Sequence, residues 1–237
     1  MSFILQKEYT GYSQNYFTEV NRSYSVNMKE GGIFILGEDY QKVYSEALFN
    51  IPDYRRKSYE ELSGILLGKS LFYGDAYIKA FEDKGISARQ VVPQCQYLQL
   101  LWAKENGVKF PLEWLDHFII RGLTRRLLKL PFLSLEEKLF EISTEQIKQA
   151  RPEIVWVFSG VPVTADMINE WKKYCERIVL WYSCPLSSDY PYSSYDAIFS
   201  CIEPLVTHFR SRGIKSFLIP HAFDERVLAT IKPAATR

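Results

Sequence analysis

Short, uninterrupted apolar runs recur along this chain, and they constrain its fold more than any other feature. Ile33-Phe34-Ile35-Leu36 is the first, stopped by Gly37. Similar runs are Ile154–Phe158, Ile178–Tyr182 and Ser216–Pro220, a more polar one at Ile86–Val92 (ISARQVV), and a shorter one at Ala197-Ile198-Phe199. A strand that faces solvent on one side alternates apolar and polar residues. A strand covered on both sides is apolar throughout, as in a parallel sheet between helices.

The intervals carry helical patterns. Asp75–Lys84 has Ala76, Ile78, Ala80 and Phe81 on helical spacing and stops at Gly85. Tyr97–Glu105 stops at Gly107, Ala165–Glu176 follows Thr164 as N-cap, and Pro204–Arg212 opens with proline and stops at Gly213. These are the start and stop signals expected of helices. The alternation predicts an α/β fold: a Rossmann-like parallel sheet flanked by helices on both faces. The stretch from about 108 to 150 carries no strand signal and is expected to be a helical insertion between the second and third strands. Ligands of such sheets bind beyond the carboxyl ends of the strands. The loops that matter are therefore Gly37–Tyr40, Pro93–Gln96, Ser159–Val163, Ser183–Tyr192, Cys201–Glu203 and His221–Asp224.

Residues 1–31 are polar and rich in Tyr and Asn, fitting either a hairpin or an irregular arm. The domain is expected over 32–230. The Pro/Ala/Thr-containing tail at 231–237 has the composition of an interdomain linker, so the natural polypeptide is expected to continue past Arg237.

Charge and composition narrow the function. Of 237 residues, 29 are Lys or Arg and 28 Asp or Glu. That balance leaves no global basic field to draw in nucleic acid. No apolar run approaches the ~20 residues that span a bilayer, and the N-terminus lacks a signal-peptide pattern, so a cytoplasmic chain is expected. Cys95, Cys175, Cys184 and Cys201 lie far apart without C-x-x-C spacing, as reduced thiols do. His117, His208 and His221 show no metal-ligand spacing, so no metal is expected.

Several motifs fail on inspection. Gly64–Ser70 (GILLGKS) resembles a phosphate-binding loop but has three residues between its glycines where four are needed, and it follows a polar helical segment, Lys57–Ser63. No G-x-G-x-x-G follows any predicted strand, which disfavours an autonomous nucleotide-binding enzyme; Glu38 and Asp39 after the first strand would repel a pyrophosphate. There is no G-x-S-x-G, and no cysteine has an evident histidine partner in the sequence. Cys184 and Cys201 fit small core positions near strand ends. Arg121, Arg125 and Lys129, four apart, share one helix face. They form either a solvated surface or a patch for a phosphate-bearing acceptor or an anionic membrane.

Six segments in order, Phe34–Tyr40, Ser70–Gly85, Leu98–Gly107, Arg151–Gly160, Ser183–Ser188 and Tyr195–Leu228, resemble the N-terminal half of the CgeB-like, spore-maturation-type glycosyltransferases of the GT-B architecture. The last segment carries most of the likeness: strand, helix, R-x-x-G, strand, then Pro-His-x-x-Asp. The resemblance implies one of two Rossmann-like domains facing across a cleft. This one would hold a glycan or other hydroxyl acceptor, in bacterial glycan synthesis. The nucleotide-sugar donor would bind a C-terminal GT-B domain outside this chain, which by itself would be inactive. No cofactor is expected in this half.

Glycosyl transfer needs a carboxylate or imidazole at the acceptor hydroxyl. From strand-end placement the candidate catalytic residues are Asp39, Asp75 and His221. Asp75 fits a helix cap equally well, and His221 could meet a phosphate or cap the last helix. Glu38, Tyr40, Tyr73, Gly74, Ser159, Gly160, Ser183 and Asp224 are the candidate acceptor-binding residues. The alternative is a non-catalytic Rossmann-like module that binds a glycan or a protein.

Overall fold

The computed structural model describes residues 31–37, 41–69, 74–108, 135–221 and 224–226. Six parallel strands form one sheet: β1 (Ile33–Leu36), β2 (Ala88–Val91), β3 (Ile154–Phe158), β4 (Arg177–Trp181), β5 (Ala197–Ser200) and β6 (Ser216–Leu218), in the order β2-β1-β3-β4-β5-β6. All six predicted runs are strands: β1 and β3 keep their predicted bounds, β2 and β6 are shorter, β4 lies one residue earlier and β5 runs one residue longer. The chain leaves β1 toward β2 on one side, then crosses to β3 on the other. The strand order therefore reverses between β1 and β3, the place where such sheets open a crevice.

Side chains alternate across the sheet. On one face Phe34, Leu36, Val155, Val157, Ile178, Leu180 and Ile198 are buried. They pack against helices α5 (Leu135–Ala150), α6 (Ala165–Trp171) and α7 (Glu203–Ser211), through Phe140, Ile147, Ile168, Trp171 and Phe209. The other face presents Ile33, Ile35, Trp156, Phe158, Trp181 and Phe199, met by Tyr77, Ile78 and Phe81 of α3 (Ala76–Glu82). Helices thus lie on both faces, as predicted. A further core, around Tyr44, Leu48, Leu62, Leu66, Leu98, Trp102 and Ile142, joins α1 (Gln41–Phe49), α2 (Tyr59–Gly68), α4 (Gln96–Glu105) and α5.

Local chemistry explains the helix ends. Ser58 and Glu61 form a capping box at the start of α2, the Ser58 side chain accepting from the Glu61 amide while the Glu61 carboxylate accepts from the Ser58 amide at 2.8 Å. The glycines of the phosphate-loop look-alike, Gly64 and Gly68, lie inside this helix. Thr164 caps α6 through the Met167 amide. That helix is shorter than the predicted Ala165–Glu176. From Lys173 onward the amides reach back only three residues, Lys173 to Glu170 and Tyr174 to Trp171. Glu176 and Arg177 then both donate to the Glu153 carbonyl, which steers the chain into β4.

The predicted insertion holds α5 at its carboxyl end, and residues 109–134 lie outside the described part. No helix among the described residues is long and apolar enough to cross a membrane.

Candidate functional site at the carboxyl edge of the sheet

Backbone pairing continues past the strands at this edge. Gly37 donates to Val91 O at 3.0 Å, Ser159 to Trp181 O at 2.7 Å, Tyr182 to Phe199 O at 2.8 Å and Ile219 to Ser200 O at 2.9 Å. Residues just beyond β1, β3, β4 and β6 are thereby held in place, and side chains rising from them have defined positions.

On the face covered by α3, ring contacts run along this edge. Tyr77 meets Phe158 with centroids 5.4 Å apart, Phe158 meets Trp181 at 6.5 Å, and Trp181 meets the His221 imidazole at 5.8 Å. His221 Nε2 lies 3.0 Å from Cys201 Sγ. Histidine and cysteine each follow a strand, β6 and β5, which are paired. The sequence offered no cysteine an evident histidine partner. The structure supplies one, because parallel neighbours bring positions 20 residues apart to adjacent strand ends.

At the other end of the row stands Asp75, at the N-cap position of α3. The cap interpretation does not hold for its side chain, which makes no capping hydrogen bond. Its carboxylate instead receives Lys79 Nζ at 3.0 Å and Arg226 Nη2 at 2.8 Å. Arg226 in turn binds Asp224, donating from Nε to Oδ1 at 2.8 Å and from its own backbone amide at 3.0 Å. Two predicted residues 149 positions apart are therefore joined by a guanidinium that sequence reasoning passed over. The available signal was the D-x-R spacing of Asp224-Glu225-Arg226, the pattern of an aspartate folding back on an amide two residues on. The Arg226 hydrogen bonds hold the Asp224 carboxyl below the usual carboxylate range. Bonds to Asp224 and Asp75 raise the Arg226 guanidinium above its already high value. The four side chains balance in charge. Such an arrangement fixes the segment after β6 against the start of α3, with both carboxylates engaged as acceptors.

The remaining predicted residues divide clearly. Gly74 is buried, with φ +48° where the chain turns into Asp75. Ser159 is buried, and Gly160 is exposed with its carbonyl accepting Gln94 Nε2 at 3.3 Å across the β1–β3 crevice. Ser183 is half-buried. Glu38, Asp39, Tyr40 and Tyr73, and the basic row Arg121, Arg125 and Lys129, lie outside the described residues.

A tyrosine cluster closes the neighbouring loop. Tyr192 donates to Tyr182 at 2.7 Å, and the Tyr190 and Tyr195 hydroxyls are 2.9 Å apart. Burial pushes the Tyr190 hydroxyl up to about 12 and raises Tyr182 and Tyr195 as well. These rings are spent on fixing the 183–195 loop.

No group of three or more His, Cys, Asp or Glu side chains among the described residues is placed to hold a metal ion. Comparison with models of protein families and with characterised proteins finds no match.

Proposed function

We propose that this chain is the acceptor-side half of a GT-B glycosyltransferase, holding a glycan or other hydroxyl acceptor while a partner domain binds the nucleotide sugar. One observation carries the proposal: an aromatic row, Tyr77–Phe158–Trp181–His221, lies along the carboxyl edge and runs from the Asp75–Arg226–Asp224 cluster to Cys201. Phe158 and Trp181 are buried and fix the row in place, while exposed His221 at one end and the fixed charged groups at the other are placed to bind hydroxyls. The sequence after β1, Gly37-Glu38-Asp39-Tyr40, offers one glycine and two acids, which disfavours a diphosphate at that loop. The donor site accordingly belongs to a C-terminal GT-B domain, and catalysis requires both.

His221 is the base candidate the described geometry favours, since Asp75 and Asp224 are both engaged by Arg226. That same engagement supports a second reading, a non-catalytic module that binds a glycan or a protein. Thermal unfolding of the chain against oligosaccharides and nucleotide sugars tests the proposal. A ligand at about 100 times its Kd adds roughly 2.7 kcal/mol. Stabilisation by a saccharide alone is expected. Stabilisation by a nucleotide sugar, or by no saccharide, overturns it. Sugar transfer on addition of the donor domain separates the enzyme from the binding module.

A further inference from the structure

We propose that Cys201 and His221 form a nucleophile–base pair, and that Cys201 is a site of reversible S-thiolation by small disulfides. The pair meets the geometric requirement for an activated nucleophile. Sulfur and imidazole nitrogen are within hydrogen-bond reach at 3.0 Å, and Trp181 packs against the base with ring centroids 5.8 Å apart. Both residues are anchored by backbone bonds next to them. Ile219 donates to Ser200 O at 2.9 Å, and Ile202 donates to Ser200 Oγ at 3.1 Å, which turns the chain directly after Cys201. His221 is exposed and Cys201 half-buried, so the pair lies at the surface of the sheet edge.

The other thiols are placed differently. Cys95 is 1% exposed. Cys175 donates to the Trp171 carbonyl, and burial pushes its thiol up to about 11. Cys184 is half-buried in the tyrosine-rich core, with no histidine ring contact or hydrogen bond described for it. None of the four is in a disulfide.

The reaction balances with the disulfide as oxidant. His221 Nε2 takes the thiol proton as Cys201 Sγ attacks one sulfur of the disulfide. A bond forms between that sulfur and Cys201, the original S–S bond breaks, and its electron pair leaves on the second sulfur. The departing thiolate takes the proton from the imidazolium. Cys201 is oxidised to a mixed disulfide and half of the reagent is reduced to a thiol; an added thiol reverses the step. The adduct would cover His221 at the carboxyl edge, making this edge sensitive to thiol–disulfide balance whatever the chain binds there. The inference stands apart from the glycosyltransferase proposal, and either can fail alone.

The test is the reaction of the full chain with dithiodipyridine at neutral pH, followed by release of thiopyridone and by peptide mass mapping. One fast thiol is expected, and mapping should place it at Cys201. Cys201→Ser should remove the fast phase. His221→Gln should slow it about tenfold or more while leaving the slower Cys184 phase unchanged. That unchanged phase distinguishes loss of the base from loosening of the fold. A fast phase that maps to another cysteine, or a wild-type rate in His221→Gln, overturns the proposal; the mapping arm uses the unaltered protein and needs no variant to fold.

Discussion

Gly31 and Gly32 are adjacent, yet alanine at the two positions should have very different consequences. Gly32 has φ +151°, a conformation that costs a side-chain-bearing residue of order 1–3 kcal/mol. A Cβ built there would lie 2.8 Å from the Ser87 carbonyl oxygen, inside any contact such atoms make. That oxygen cannot retreat without loss, since it accepts the Ile33 amide at 2.9 Å in the first bond between β1 and β2. Nor can Gly32 move the other way. Its own carbonyl accepts the Ile154 amide at 3.0 Å, the first bond between β1 and β3. Strain plus one weakened hydrogen bond, at about 1 kcal/mol, gives a loss of about 2–4 kcal/mol for Gly32→Ala, with roughly 3 kcal/mol the central value. Gly31 has φ +88° and nothing within 4 Å of its Cβ position. Gly31→Ala should cost about 1 kcal/mol, less the gain from restricting the unfolded chain.

For a chain of this length a kcal/mol moves Tm by about 2–4 °C. Gly32→Ala should therefore unfold some 6–12 °C below wild type and Gly31→Ala within about 4 °C. Differential scanning calorimetry of the three proteins decides it. Equal losses, or a larger loss at Gly31, would refute the placement of Gly32 between two strand pairings.

Thr144→Val should cost about 1–3 kcal/mol in urea unfolding, because buried Trp171 Nε1 then loses the hydroxyl it donates to at 2.8 Å; Thr144→Ser should restore most of it. In alkali, Tyr59, Tyr182, Tyr190 and Tyr195 have raised values set chiefly by burial, so the folded state holds them neutral. Stability from these groups is complete below the unfolded value near 10 and is lost as pH rises above it. Spectrophotometric titration should show a fraction of tyrosines ionising only together with the loss of far-ultraviolet helix signal. Arg226→Gln should change stability by no more than about 1 kcal/mol, since the pairs are solvent-accessible. It should also move the Asp224 carboxyl upward in an NMR titration. With Arg226 present, the Asp224 contribution is complete above the unfolded carboxylate value and fades as pH falls through the lower folded one.

Sequence and structure divided the work along a physical line. Strands covered on both faces must be apolar at every position, which is why Ile33–Leu36 and Ile154–Phe158 declare themselves without any partner in view. Gly85, Gly107 and Gly213 likewise end helices through positive φ at single residues. The helix Gln41–Phe49 was not singled out from the sequence, and it is held in a core built with distant helices. The chemistry at the carboxyl edge depended still more on the fold. Asp75 and Arg226 are 151 residues apart, and Cys201 and His221 are brought together by the pairing of β5 with β6. Patterning and turn chemistry are local, so the chain alone determined its strands, most of its helix ends and its all-parallel class. Strand order and the meeting of side chains across it arise from closing long loops, and only the tertiary structure decided those.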